Sequence, residues 1–237
     1  VKLVYENLVL RQDWVRKYNE FFSITPNEKV HLTFPFIAIM PLQLKLFSIP
    51  EVSLNPVGFL HLSNYIKKLK EIPSEEILRA EVSLSKVTLA KKGVVLSVKQ
   101  VLYSKDEIIW ICESKYLKFS KKYRIKEENN HKKKNIFFPI EKYQREIEFT
   151  VSSEDAKKYA YLSGDFNPIH ISTIFAKLMG LPTPIIHGMW TVGNCLKYLS
   201  CLFNEKVYFY HAFKGTIPIG AKGKIAIQPI DNGEQVD

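Results

Sequence analysis

The chain has 237 residues, 46% of them hydrophobic, and a formal charge of +10. That is enough apolar material for one large packed domain or two small ones, which excludes a disordered chain, and the positive balance calls for an anionic partner. Three cysteines (Cys112, Cys195 and Cys201) without CxxC spacing argue against a disulfide framework or a zinc site and suit a reducing cytoplasm.

In chain order, the opening VKLVYENLVLRQDW mixes charges into every turn and has no apolar signal-peptide core, so no export is expected. The longest apolar stretch, FPFIAIMPLQLKLFSI at 34–49, is broken by Pro35, Pro41 and Lys45. It is shorter than the roughly 20 residues a membrane span needs. Its 35–47 portion has helical length, with Pro41 expected to kink the helix or end it early. Three runs then read as strands of an antiparallel meander: LRAEVSLSKVTLA (78–90), GVVLSVKQVLYS (93–104) and IIWICESKYLKFS (108–120). Each alternates with period two, and the gaps between them have hairpin-turn character. Residues 120–145 hold nine Lys/Arg against three Glu, which supplies +6 of the total charge. A solvated connection has this composition. The chain is therefore divided into a unit at 1–120, a basic linker at 121–145 and a second unit at 146–237.

The two units look like copies. PFIAIM at 35–40 and PIIHGM at 184–189 share Pro, Ile and Met at an offset of 149, and each leads into an apolar helix and then a strand carrying lysine. Those strands are LHLSNYIKKLK and VYFYHAFKGTI, with His61 and His211 at comparable places as an echo of the repeat. A helix apolar on nearly all sides must be enclosed, and a curved antiparallel sheet wrapped around it does so compactly. The expectation is an α+β double hotdog. Projecting the end of the first unit by the same offset passes well beyond Asp237, so the last one or two strands of the second unit are expected to lie outside this sequence.

The densest stretch runs from Tyr159 to Leu199. SSEDAKKYAYLSG reads as a helix with Ser153 as N-cap, acids in its first turn and Gly164 just past its end. Ser163 and Gly164 thus set up a turn in which Asp165 and Asn167 bond to local backbone and Pro168 stiffens the chain. His170 follows across that turn, then a helix ISTIFAKLMG ending at Gly180. A carboxylate and an imidazole on one rigid loop are what general acid/base catalysis requires. A further helix opens at His187-Gly188-Met189 and is expected to reach about Leu202. Its first amides lack intrahelical partners and Gly188 blocks nothing, so the Gly188 N–H is a candidate oxyanion donor.

The string Y-L-S-G-D-F-N-P-I-H, with Ala176, Gly180 and I-H-G-M ending at Met189 at their spacings, resembles the signature of the MaoC-like, or type 2 enoyl-CoA hydratase, family over residues 145–237. The first unit is similar to the degenerate N-terminal hotdog of two-domain members: it has no SGDxNPxH, and Ala38 stands at the place of His187. The resemblance implies an (R)-specific hydro-lyase that interconverts trans-2-enoyl and (R)-3-hydroxyacyl thioesters. Asp165 and His170 would activate one water, Asn167 would orient the loop or the water, and Gly188 would polarise the thioester carbonyl. Ser163, Gly164, Pro168, His187 and Met189 would support the loop and the substrate. The implied substrate is an acyl-CoA or an acyl group on the phosphopantetheine of acyl carrier protein, with no metal or separate cofactor; a homodimer is one of the assemblies left open. A non-catalytic acyl-thioester-binding subunit and a thioesterase are the alternatives on this scaffold. Nucleic-acid binding is disfavoured because the basic residues cluster in the linker without an aromatic platform.

Overall fold

The computed structural model describes residues 1–24, 29–52, 54, 58–120, 122–123, 145–199, 203 and 205–227. Strand β1 (Lys2–Val9) and helix α1 (Gln12–Phe21) come first, neither of which the sequence reading separated from the charged N-terminal stretch. Helix α2 (Phe34–Ser48) follows, then β2 (Phe59–Lys68), β3 (Ile77–Ala90), β4 (Gly93–Ser104) and β5 (Glu107–Phe119). The last three match the predicted meander nearly residue for residue. Most of the predicted basic linker, and Cys201, lie outside the described residues.

The second half supplies β6 (Arg145–Thr150), α3 (Ser153–Ser163), a 3₁₀ turn (Pro168–His170), α4 (Thr173–Leu178), α5 (Gly188–Leu196), β7 (Val207–Ala212) and β8 (Lys222–Ile227). Three local expectations are corrected. Ser152, not Ser153, caps α3: its hydroxyl accepts from the Asp155 N–H while the Asp155 carboxylate accepts from the Ser152 N–H, a reciprocal box that needs an acid three residues after the cap. Helix α5 ends at Leu196 rather than near Leu202. Helix α2 neither kinks to a stop nor ends at Pro41 but runs for 15 residues. Pro41 lies on the exposed stripe with Leu44 and Lys45, so its ring points outward. Phe36, Ile37 and Ile39 before it and Leu46 and Phe47 after it are buried. Packing on both sides outweighs the roughly 3 kcal/mol an interior proline costs.

The strand order β1-β3-β4-β5-β2-β7 forms one six-stranded sheet, and β6 pairs with β8 in a second. The β1–β3 pairing of the first half thus recurs as β6–β8, and Phe149 of β6 meets Trp190 of α5. The halves are joined by backbone: Ser63–Lys68 of β2 run antiparallel to Ala212–Val207 of β7. The six-stranded sheet curves over α2, and a single core continues from Phe34, Ile37 and Phe47 through Trp110 and Val98 to Tyr159, Met189 and Val192. Trp110, fully buried, donates its ring N–H to the Leu32 carbonyl 2.9 Å away, so its polar atom carries no desolvation penalty. Helix α5 meets α1 at Gly193, where a Cβ would sit 2.4 Å from the Phe22 ring.

Gly193→Ala forces Phe22 aside. Overpacking costs about 1 to 3 kcal/mol, and alanine's helix advantage of roughly 1 kcal/mol over glycine offsets only part of it. The variant should unfold at lower urea concentration with an unchanged denaturant slope. A midpoint at or above that of the parent would show that the α1–α5 contact is looser than described.

Candidate active site

Helix α3 stops at Gly164, whose φ of 73° is the left-handed conformation glycine adopts without penalty. Before it, the Ser163 hydroxyl donates to the Tyr159 carbonyl and accepts from the Asp165 N–H. Asp165 Oδ1 accepts from the Asn167 N–H at 3.2 Å, and Asn167 Oδ1 accepts from the Ile169 N–H, two successive side-chain turns that lead into Pro168. The expected stiff loop is there, and the oxygen of Asn167 is used within it.

His170 is buried, and its Nδ1 lies 2.9 Å from the Ile185 carbonyl. A carbonyl only accepts, so Nδ1 carries the proton and Nε2 presents its lone pair. His187 is held in the same way, its Nε2–H donating to the Asp165 carbonyl at 2.9 Å. The two imidazoles stack face to face, with centroids 3.7 Å apart and planes at 27°. His187 therefore tethers the backbone of Asp165 and supports the ring of His170. Its own Nδ1 is buried without a hydrogen-bond partner among the described residues.

A carboxylate oxygen of Asp165 and one ring nitrogen each of His170 and His187 lie within 4.8 Å of one another. Three such atoms form a spacing a metal ion could use, but the stacking works against it. Lone pairs lie in the ring planes, and two nearly parallel planes leave no nearby point that both imidazoles can ligate. A water, which tolerates off-axis hydrogen bonds, is the better fit.

Burial lowers the His170 pKa, while the Asp165 charge and the hydrogen bond to Ile185 push it back up. His187 is lowered to about 4, first by burial and then by its neighbour His170, with Asp165 offsetting part of the effect. Both rings are neutral near pH 7, as a proton acceptor must be.

These groups line a cavity of about 450 Å³ whose wall includes Gly188 and Met189 at the start of α5. A side chain at Gly188 would meet the Phe213 ring at 2.8 Å, so the glycine is required for packing as well as for approach to its amide. The opposite wall comes from the first half: Phe36, Met40, Leu44 and Phe47 of α2, with Phe59, His61 and Tyr116 of the sheet. Sequence reasoning missed this half of the cavity. His61, taken there as an echo of the repeat, stacks on Tyr116 with centroids 4.6 Å apart, and its Nε2–H donates to Asn64 Oδ1. Asn64 in turn donates to Met189 Sδ at 3.2 Å, so a β2 residue braces the first turn of α5. Gln43 is buried, donates to the Tyr116 hydroxyl and accepts from Gln100. No local motif marks these residues, because only the pairing of β2 with β7 brings them to the loop.

The fold and the site together define a double hotdog whose second unit presents an Asp/His loop beside a helix terminus. Residues 137–229 match the family described as MaoC like domain. The 3-hydroxyacyl-thioester dehydratase X of Mycobacterium tuberculosis is 22% identical over 92% of this chain and 77% of its own length. The peroxisomal multifunctional enzyme type 2 of Mus musculus is 29% identical over 65% of this chain, which spans 21% of that much longer protein. Among solved structures, HtdX of Mycobacterium tuberculosis superposes with a TM-score of 0.82 at 20% identity, covering 98% of this chain and 91% of that one. A conserved Mycobacterium tuberculosis protein described as a double hotdog superposes at 0.58 and 10% identity, over 93% and 81% of the two chains.

Four histidines, His31 and His187 buried and His61 and His211 half-buried, have pKa values lowered by desolvation, to about 3 for His31 and His211 and about 4 for His61 and His187. Below pH 6.5 the unfolded chain takes up protons that the fold refuses, so stability falls with falling pH. Melting followed by circular dichroism should show a midpoint that drops steadily from pH 6.5 to 4. A flat midpoint across that window would mean these rings are solvated.

Proposed function

We propose that this protein is an (R)-specific hydro-lyase that adds water to trans-2-enoyl thioesters and removes it from (R)-3-hydroxyacyl thioesters. The observation that carries the reading is the convergence, within 4.8 Å, of an Asp165 oxygen and the ring nitrogens of His170 and His187 in a cavity that also receives Gly188. The names of the mycobacterial dehydratase and the mouse enzyme, and the MaoC-like domain itself, support the same reaction type.

In this mechanism the Asp165 carboxylate and His170 Nε2 accept hydrogen bonds from one water. The thioester carbonyl accepts from the Gly188 N–H, where the positive end of the α5 dipole also acts. Polarisation drains electron density from C3. The water oxygen adds there, one of its protons passes to the acid/base pair, and a proton is delivered to C2 as the enolate-like charge collapses. Dehydration reverses each step. Asn167 keeps Asp165 in position through the loop, and His187 positions both residues, by its hydrogen bond to the Asp165 carbonyl and its stack on the His170 ring. Charge stabilisation by the amide and proton transfer by the pair account for the chemistry, and CoA or the phosphopantetheine of a carrier enters only as part of the substrate. The apolar wall of α2 accommodates the acyl chain.

The test is loss of enoyl absorbance with crotonyl-CoA, with the configuration of the product assigned by an (R)-specific 3-hydroxyacyl dehydrogenase. Asp165→Asn and His170→Ala should each reduce kcat by roughly 100- to 10,000-fold, with melting curves close to that of the parent. A variant that hydrates at the parental rate, or a product of (S) configuration, would overturn the assignment.

A further inference from the structure

Helix α4 inverts the usual pattern of a surface helix. Of its six residues only Ala176 is buried. Ile174 is 73% exposed and Leu178 74%, with Phe175 and the adjoining Ile171 and Met179 also open to solvent. Tyr161, at the end of α3, is 80% exposed and packs edge-on against Phe166. A contiguous apolar face of this kind marks an interaction surface. It also lies at the cavity mouth, since Phe166 and Leu44 are both exposed and both line the cavity. Met179 reaches Gly58, which directly precedes the lining residues Phe59 and Leu60.

Past Asp165, which lies in the cavity, the segment that carries this face has charges of one sign only. Residues 166–204 contain no Asp or Glu. Lys177 sits among the exposed apolar residues of α4, while exposed Lys45 and Lys214 adjoin the lining residues Leu44 and Gly215. Two copies of the chain meeting through this face would set Lys177 near Lys177, with no carboxylate from the segment between them. Apolar side chains interspersed with lysine are instead what an interfacial element presents to anionic lipid.

We propose that the α4 face seats this protein on the surface of an anionic phospholipid bilayer. Ile174, Phe175 and Leu178 enter the boundary between headgroups and acyl chains, and Lys177 meets lipid phosphate. The cavity mouth then opens toward the membrane surface, where amphiphilic acyl thioesters concentrate. This seating does not depend on the reaction assigned above.

Co-sedimentation with vesicles tests it. The intact protein should pellet with vesicles of phosphatidylcholine mixed with phosphatidylglycerol and remain in the supernatant with phosphatidylcholine alone. The double variant Ile174→Ser/Leu178→Ser keeps every charge and should weaken binding to the mixed vesicles by at least about tenfold, and Lys177→Glu should also weaken it. Both apolar positions are exposed, and circular dichroism checks that the fold is kept. Parental binding by the double variant would assign the attraction to charge elsewhere and overturn the proposal. So would an absence of pelleting, including the case in which sedimentation velocity shows a dimer that the double variant splits.

Discussion

The pairing of β2 with β7 is the constraint from which the rest of the molecule follows. Six residues on each strand face one another, and through them a strand of the second unit completes the edge of the sheet that encloses α2. Without that ladder the first unit would be a closed apolar core with no access to chemistry, and the Asp165 loop would have no opposite wall. With it, α2 and the sheet supply one side of the cavity and the loop with α5 supplies the other. The seam is also braced by side chains, since His61 and Asn64 on β2 reach across to Phe213 and Met189. Backbone pairing fixes register and side chains fix spacing, so that two units of unequal chemistry hold the two walls of one cavity.

The inequality between the units has a local origin. Helix α2 begins at Phe34 and is already inside its core by the position that aligns with Gly188, whereas α5 begins at Gly188 itself. The same repeated motif therefore yields a buried helical interior in one half and an open helix terminus in the other. Ala38 is helical and His187 is a cap, so only in the second copy does the aligned position stand at the start of a helix, with a histidine beside it.

Much of this was legible in the sequence because the responsible forces act over short distances. Alternation in 78–119, the left-handed glycine at 164 and the turns of Asp165 and Asn167 are set by neighbours in the chain, and the structure repeats them closely. What stayed hidden depends on contacts distant in sequence. The persistence of α2 through Pro41 is decided by burial on both sides of it, the role of His187 by a carbonyl 22 residues away, and the place of His61 by strand pairing. Strand β1 alternates only weakly, with mostly exposed residues, and its identity comes from its pairing with β3.

A seam made of main-chain hydrogen bonds also limits how the molecule breathes. Two domains packed through side chains can swing apart on a hinge, but these halves share a continuous ladder, so separating them means breaking the sheet. Opening motions are confined to parts with few ties, and α4, which buries only Ala176, is one of them. The two walls of the cavity are thus held to one another by main-chain pairing, whereas α4 is tied to the body of the protein chiefly through Ala176.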